Sequence, residues 1–179
     1  IGGRQPVAPS AIAAPREGAA MPRALSGEEV EGMIAKFGDG VRRAILAGFD
    51  GVEIHGANTY LIQQFYSPNS NQRDDEWGGS RDNRARFPLA VLDITHKMAR
   101  QYADDSFIIG DRFSPEEMEV PGIRFDDTMY LLEKLAARGV DYLHFSVGAT
   151  LRPSIVDTSD PTPLIEKYCA MRSDTLAQV

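Results

Sequence analysis

The chain has 179 residues, 42% of them hydrophobic and 25% charged, which suits an ordinary globular domain or a piece of one. A net charge of −7 with scattered Lys and Arg argues against a nucleic-acid surface, and no run approaches the roughly 18 to 20 apolar residues of a membrane span. Cys169 is the only cysteine, so an internal disulfide and a cysteine-only zinc site are excluded; it is expected to be a structural thiol on a helix face, in a cytoplasmic protein. The first residues carry neither the zones of a signal peptide nor an initiating Met, and the natural start is expected elsewhere.

In chain order, residues 4–25 are rich in Pro and small residues without any period, and read as a connecting loop. Ser26 and Glu29 form the ends of a capping box. Val30, Met33, Ile34, Phe37 and Val41 then recur at helical spacing up to the stop at Gly48. Gly51 to His55 is a short strand. A helix follows from about Arg81 to Tyr102, in which Pro88 removes a hydrogen bond and marks the first turn or a kink. Phe107 to Phe113 is the next strand. Asp126 or Asp127 should cap a helix closed by Gly139, Tyr142 to Ser146 is a third strand, and a last helix is expected to begin near Thr162.

The stretch Gly48-Phe49-Asp50-Gly51-Val52-Glu53-Ile54 has a weak echo in Gly139-Val140-Asp141-Tyr142-Leu143-His144-Phe145: a helix stop, then Asp, then a strand. Strands alternating with helices predict parallel pairing through right-handed crossovers. The chain supplies three such units, either as a small open α/β sheet or as a section of an eight-unit barrel.

In parallel α/β proteins ligands bind at the carboxyl ends of strands. His55 ends the first strand, with Asn58 and Tyr60 just behind it, and Arg112 ends the second. A bend at Gly56-Ala57 could aim the nitrogen donors of His55 and Asn58 at one point, which is how a carbonyl oxygen is held and its developing charge stabilised. Tyr60, whose phenol has an ordinary pKa of about 10, suits proton donation to a basic carbon. The plain alternative is a hydrogen-bonded His at a strand end with Tyr60 packed in the core. For Arg112 the plain alternative is an ion pair with Asp111 or Glu53. The stretch Ser67 to Ser80 is expected to be a rim loop shaped by Arg73 and Asp75, with Tyr66 or Trp77 as conceivable substrate contacts. His96 is expected to be solvated, and no metal cluster is evident.

The run Gly48 to Leu61, with His55-Gly56-Ala57-Asn58-Thr59-Tyr60 at its centre, resembles the fourth strand and following loop of the old yellow enzyme family of NADH:flavin oxidoreductases. Ser67-Pro68, Asn71, Arg73, Asp75 to Ser80 and Asn83 to Phe87 continue the pattern; Ala8 to Ala11 and Pro22 to Leu25 match upstream, and Arg112-Phe113-Ser114 resembles the family's fifth-strand motif. The resemblance implies an α/β fold, a TIM (β/α)8 barrel of which residues 1–179 cover roughly strands 4 to 6: residues 1–25 the loop after strand 3, residues 26–179 three βα units. It implies FMN in the barrel mouth, reduced by NAD(P)H, which passes hydride to the β-carbon of an α,β-unsaturated carbonyl compound. In that pattern His55 and Asn58 bind the carbonyl oxygen, Tyr60 protonates the α-carbon, and Arg112, with His55, lies against the cofactor. The partner is thus a small-molecule enone rather than nucleic acid or membrane.

Against the family pattern, the residues of strands 1 and 2 and the phosphate loops after strands 7 and 8 fall outside the sequence. Exposed strand edges would then favour pairing with another copy or with those remaining barrel segments. Asp111 adds a negative charge next to Arg112, though strand alternation should turn it away. Two further readings stand beside the enzyme: a non-catalytic remnant that no longer binds FMN, and an unrelated barrel lyase or aldolase. The latter needs a Schiff-base Lys near a strand end, whereas Lys36, Lys97, Lys134 and Lys167 all fall in predicted helices. The 179 residues purified alone are expected to hold no FMN; stoichiometric yellow flavin absorbance in such a sample would overturn that expectation.

Overall fold

In the computed structural model residues 3–171 are described. The order is β1 (Val7–Ala8), β2 (Arg23–Ala24), α1 (Gly27–Leu46), β3 (Gly51–Gly56), α2 (Leu61–Tyr66), α3 (Arg81–Tyr102), β4 (Ile108–Phe113), α4 (Phe125–Ala136), β5 (Tyr142–Phe145) and α5 (Leu164–Met171). Strands β3, β4 and β5 form one parallel sheet in that order, with α3 and α4 as the crossovers.

Several elements follow from local chemistry. Ser26 Oγ accepts from the amide of Glu29 (3.2 Å) while the Glu29 carboxylate accepts from the Ser26 amide (2.9 Å), so the expected capping box starts α1. Glu29 also pairs with Arg23 at 2.7 Å, tying β2 to this helix start. Pro88 sits inside α3, eight positions into it, and is fully buried: it lies beyond the first turn and is accommodated within the helix. The preceding Phe87 stacks on Phe65 of α2, with ring centroids 4.0 Å apart.

Three expectations need correction. Residues 4–25 are not wholly irregular, because Val7 and Ala8 pair with Arg23 and Ala24 as a two-residue parallel ladder. Helix α4 begins at Phe125, with Arg124 as the N-cap; Asp127 acts from the third helical position, accepting from the Arg124 amide at 3.1 Å. Cys169 is exposed, because the neighbouring Tyr168 takes the buried side of α5 and donates to the Pro115 carbonyl (3.0 Å).

Period-two alternation divides the sheet into two faces. Ile54, Ile109 and Phe113 point to the helices and are buried, and Leu143 and Phe145 pack against them. Glu53 and His55, Gly110 and Arg112, Tyr142 and His144 occupy the other face in matching register rows.

The segment between α2 and α3 is held as expected. Arg73 pairs with Asp75 at 2.5 Å and donates to the Pro9 and Leu25 carbonyls, at 2.9 and 2.5 Å. Asn71 Nδ2 donates to the carbonyls of Phe65 and Trp77. Tyr66 and Trp77 are buried in this packing, and the Tyr66 hydroxyl donates to the Asp127 carbonyl. Neither is free to meet a substrate. Replacing Arg73 by Ala leaves two part-buried carbonyls without donors and an unpaired Asp75. Arg73→Ala should therefore lower stability by about 2 to 4 kcal/mol, read as a reduced urea midpoint at unchanged m-value.

Candidate functional site

The open face of the sheet ends in a row of three basic side chains, since His55 is paired with Arg112 and Arg112 with His144. Behind His55 the chain makes a sharp turn in which Asn58 (φ 57°) and Thr59 (φ 62°) both adopt left-handed backbone. Asn tolerates this region, but a β-branched Thr there costs of order 1–3 kcal/mol and persists only where surroundings impose it. The surroundings are evident. The Asn58 amide donates to Ser114 Oγ (2.9 Å), the Thr59 amide to Gln63 Oε1 (2.9 Å), and Gln64 Nε2 to the Thr59 carbonyl (2.6 Å).

The same contacts set which polar atoms remain free. His55 Nδ1 accepts from the Ala57 amide at 3.3 Å, so in the neutral ring the proton sits on Nε2 as a donor. Asn58 Oδ1 accepts from Ser146 Oγ at 2.9 Å, which leaves the Nδ2 amide group to donate. Tyr60 lies edge-on to His55 with ring centroids 5.3 Å apart and is 63% exposed, so it is no core residue. His55 and Tyr60 are therefore in ring contact, with Asn58 in the turn between them.

Arg112 shares the row but is held by a different neighbour. Its Nε stands 2.8 Å from Glu53 Oε1, although the N–H is not aimed along that contact. The ion pair foreseen as an alternative is thus present, with Glu53 and not with Asp111. Asp111 is turned to the helix face, 3% exposed, beside a cavity of about 20 Å³ that Gly56, Ser114 and Thr128 help to line. Burial, with Glu53 adding repulsion, pushes its carboxyl well above the usual carboxylate range.

Residues that sequence reasoning passed over complete the support. The consecutive acids after Pro115 are both buried: Glu117 accepts from Gln63 Nε2 (2.7 Å), Ser67 Oγ (2.5 Å) and the Ile123 amide (3.0 Å). Glu116 takes Arg152 (2.7 Å), Ser154 Oγ (2.6 Å) and the Ile155 amide (2.8 Å). Burial opposes ionisation of Glu116, yet Arg152, Ser154 and Ile155 together keep its carboxyl below its ordinary range. Thus Glu117 braces Gln63, and Gln63 braces Thr59. The only signal in the sequence was two acids directly after a strand end, where unpaired carboxylates would be costly.

His96, expected in solvent, is half-buried on α3 with Nε2 unpartnered, and burial, then Arg100, lowers its pKa. All four lysines considered for Schiff-base chemistry lie in helices, Lys36 in α1, Lys97 in α3, Lys134 in α4 and Lys167 in α5, away from the strand ends. Among the described residues no group of His, Cys, Asp and Glu could hold a metal, and no helix is long and apolar enough to cross a membrane.

His55 and Arg112 lie at the carboxyl ends of parallel strands, with Asn58 and Tyr60 in the turn that follows, the position at which (β/α)-barrel proteins bind their ligands. The chain belongs to the NADH:flavin oxidoreductase / NADH oxidase family, whose model matches residues 3–167. It is 98% identical over its whole length to an NADH:fumarate oxidoreductase of Klebsiella pneumoniae, of which it spans 19%, and 60% identical over 99% of its length to an NADH:acrylate oxidoreductase of Vibrio harveyi, of which it spans 18%. Among solved structures it is similar to an old yellow enzyme homologue from Zymomonas mobilis, at a TM-score of 0.75 and 27% identity, covering 96% of this chain and 49% of that one. The fold is accordingly a section of a TIM barrel, and family membership brings FMN and a nicotinamide as cofactors.

The residues present fit a flavin edge. The row His55–Arg112–His144 lies on the open face, and Arg112 keeps a guanidinium only partly engaged by Glu53. Asp111, next to Arg112 in sequence, is sequestered behind the sheet and does not face that edge.

Because the folded state holds Asp111 protonated while the unfolded chain releases that proton above about pH 3.9, stability falls as pH rises from the ordinary carboxylate range toward the raised folded pKa. Asp111→Asn removes this loss. The variant should melt higher than wild type at pH 7 and match it near pH 4, measured by thermal unfolding across that range.

Proposed function

We propose that this chain is the catalytic middle of an FMN-dependent NAD(P)H oxidoreductase that reduces a C=C bond conjugated to a carbonyl or carboxylate group. The observation that carries this reading is the strained, braced turn that presents His55 Nε2, Asn58 Nδ2 and the exposed Tyr60 hydroxyl together. FMN, when bound, supplies the hydride. His55 and Asn58 donate hydrogen bonds to the substrate oxygen and stabilise the negative charge that grows on it as the β-carbon is reduced. Tyr60 gives its proton to the α-carbon. Arg112 and His55 would hold the cofactor on the open face of the sheet. The proposed domain arrangement is that of the sequence reading, residues 1–25 leading into three βα units of one barrel.

Tyr60→Phe should slow oxidation of the reduced enzyme by an enone by about 10²-fold or more while sparing flavin reduction by NADH, read by stopped-flow absorbance of each half-reaction. Equal losses in both halves would remove Tyr60 from the proton-donor role. His55→Ala should weaken a phenolic ligand by about tenfold or more, the worth of one lost charge-assisted hydrogen bond. An unchanged dissociation constant would make His55 a purely structural residue.

A second reading is favoured by length. The chain spans about a fifth of the two relatives named for fumarate and acrylate, but about half of the Zymomonas mobilis protein. In so long a protein this barrel would oxidise NADH and hand the electrons to another part of the polypeptide, where fumarate or acrylate is reduced. Tyr60→Phe separates the two readings. In the full-length protein it should leave NADH-driven fumarate and acrylate reduction intact if electrons leave the barrel, and abolish most of it if the C=C bond is reduced here.

A further inference from the structure

The roles proposed above leave one carboxylate on the open face unused. Glu53 lies one register row below His55, in line with Gly110 of β4 and Tyr142 of β5. Its Oε1 is 2.8 Å from Arg112 Nε, and its Oε2 is 2.8 Å from His144 Nδ1 and accepts from the Tyr142 hydroxyl at 3.1 Å. One side chain on β3 thus engages an Arg on the next strand and a Tyr and a His on the strand beyond.

The Tyr142 contact depends on a gap. A Cβ on Gly110 would meet the Tyr142 ring at 2.1 Å, so only a glycine lets that ring lie across β4 and reach Glu53 on the far side. The sheet is built so that β5 reaches β3 over β4. Burial opposes ionisation of Glu53, but His144, Tyr142 and Arg112 together hold its carboxyl below the usual range, so it is charged at neutral pH.

We infer that Glu53 is a positioning residue whose carboxylate, steadied by His144 and Tyr142, fixes the Arg112 guanidinium on the open face and offsets part of its charge toward the bound cofactor. The inference rests on the proposed FMN site. An anionic reduced cofactor is stabilised by the Arg112 charge and opposed by the Glu53 charge behind it. Glu53 therefore holds the cofactor's reduction potential below the value that an uncompensated arginine would set.

The test uses the full-length holoprotein and the midpoint potential of its NADH-reducible flavin, followed by spectroelectrochemical titration. Glu53→Gln keeps the side-chain shape and removes the charge, and it should move the potential to more positive values. Arg112→Ala should move it the opposite way or release FMN. An unchanged potential in Glu53→Gln, with Arg112→Ala showing its effect, overturns the inference and leaves the flavin site standing. No effect of either variant on flavin content or potential overturns the flavin site itself. If Glu53→Gln does not retain FMN, modification of Arg112 by phenylglyoxal, mapped by peptide mass spectrometry, decides the matter. It should proceed several-fold faster than in wild-type apoprotein while Arg73, held by Asp75 and two carbonyls, stays slow, and an equal Arg112 rate overturns the inference.

Discussion

The in-register parallel pairing of β3, β4 and β5 is the constraint on which the rest of the structure depends. In parallel strands, residues opposite one another share a face, and the face alternates at every step. One register therefore sends Ile54, Ile109 and Phe113 into the helix layer and sends Glu53, His55, Arg112, Tyr142 and His144 to the open side. A slip of one residue would bury the arginine and both histidines without partners and expose the apolar set, at a cost no other contact here could offset. The register also explains why Asp111, adjacent to Arg112 in sequence, does not act beside it. The two lie on opposite sides of the sheet, Arg112 half-buried on the open face and Asp111 buried on the helix side, where burial pushes its carboxyl well above the usual range.

The turn after β3 shows how a locally unfavourable conformation is kept. Two consecutive left-handed residues are imposed by hydroxyls at the ends of β4 and β5 and by amides from α2. Ser114 and Ser146 sit at the carboxyl ends of the two strands that follow β3, so the site is assembled by the sheet and not by its own loop alone. Glu117 and Glu116 then fix the segments behind those hydroxyls. A chain that spans about a fifth of its long relatives thus contains the bracing of this turn within its own three βα units.

Much of this was legible in the residues. Helical spacing and stop signals placed α1, α3 and α4 to within a few positions, since their apolar stripes are long and their ends carry Ser26, Gly48 and Gly139. The short ladder between Val7–Ala8 and Arg23–Ala24 and the six-residue helix α2 were not, because elements this brief carry no period. Their formation rests on partners distant in sequence, chiefly Arg73 and the stacked Phe65 and Phe87. Glu53 was foreseen only as a partner for Arg112; its contact with His144 was not, because the two lie 91 residues apart in sequence.

By itself the sequence determined the alternation of strands and helices, the position of His55, Asn58, Tyr60 and Arg112 at strand ends, and the resemblance to flavin oxidoreductases, since all three are written in local order and spacing. The tertiary structure alone decided which atoms of those residues stay free. Nδ1 of His55 and Oδ1 of Asn58 are occupied, Arg112 is paired to Glu53, and Asp111 is withdrawn to the far face. Hydrogen-bond partners and burial are set by segments that meet only on folding, and no local pattern specifies them.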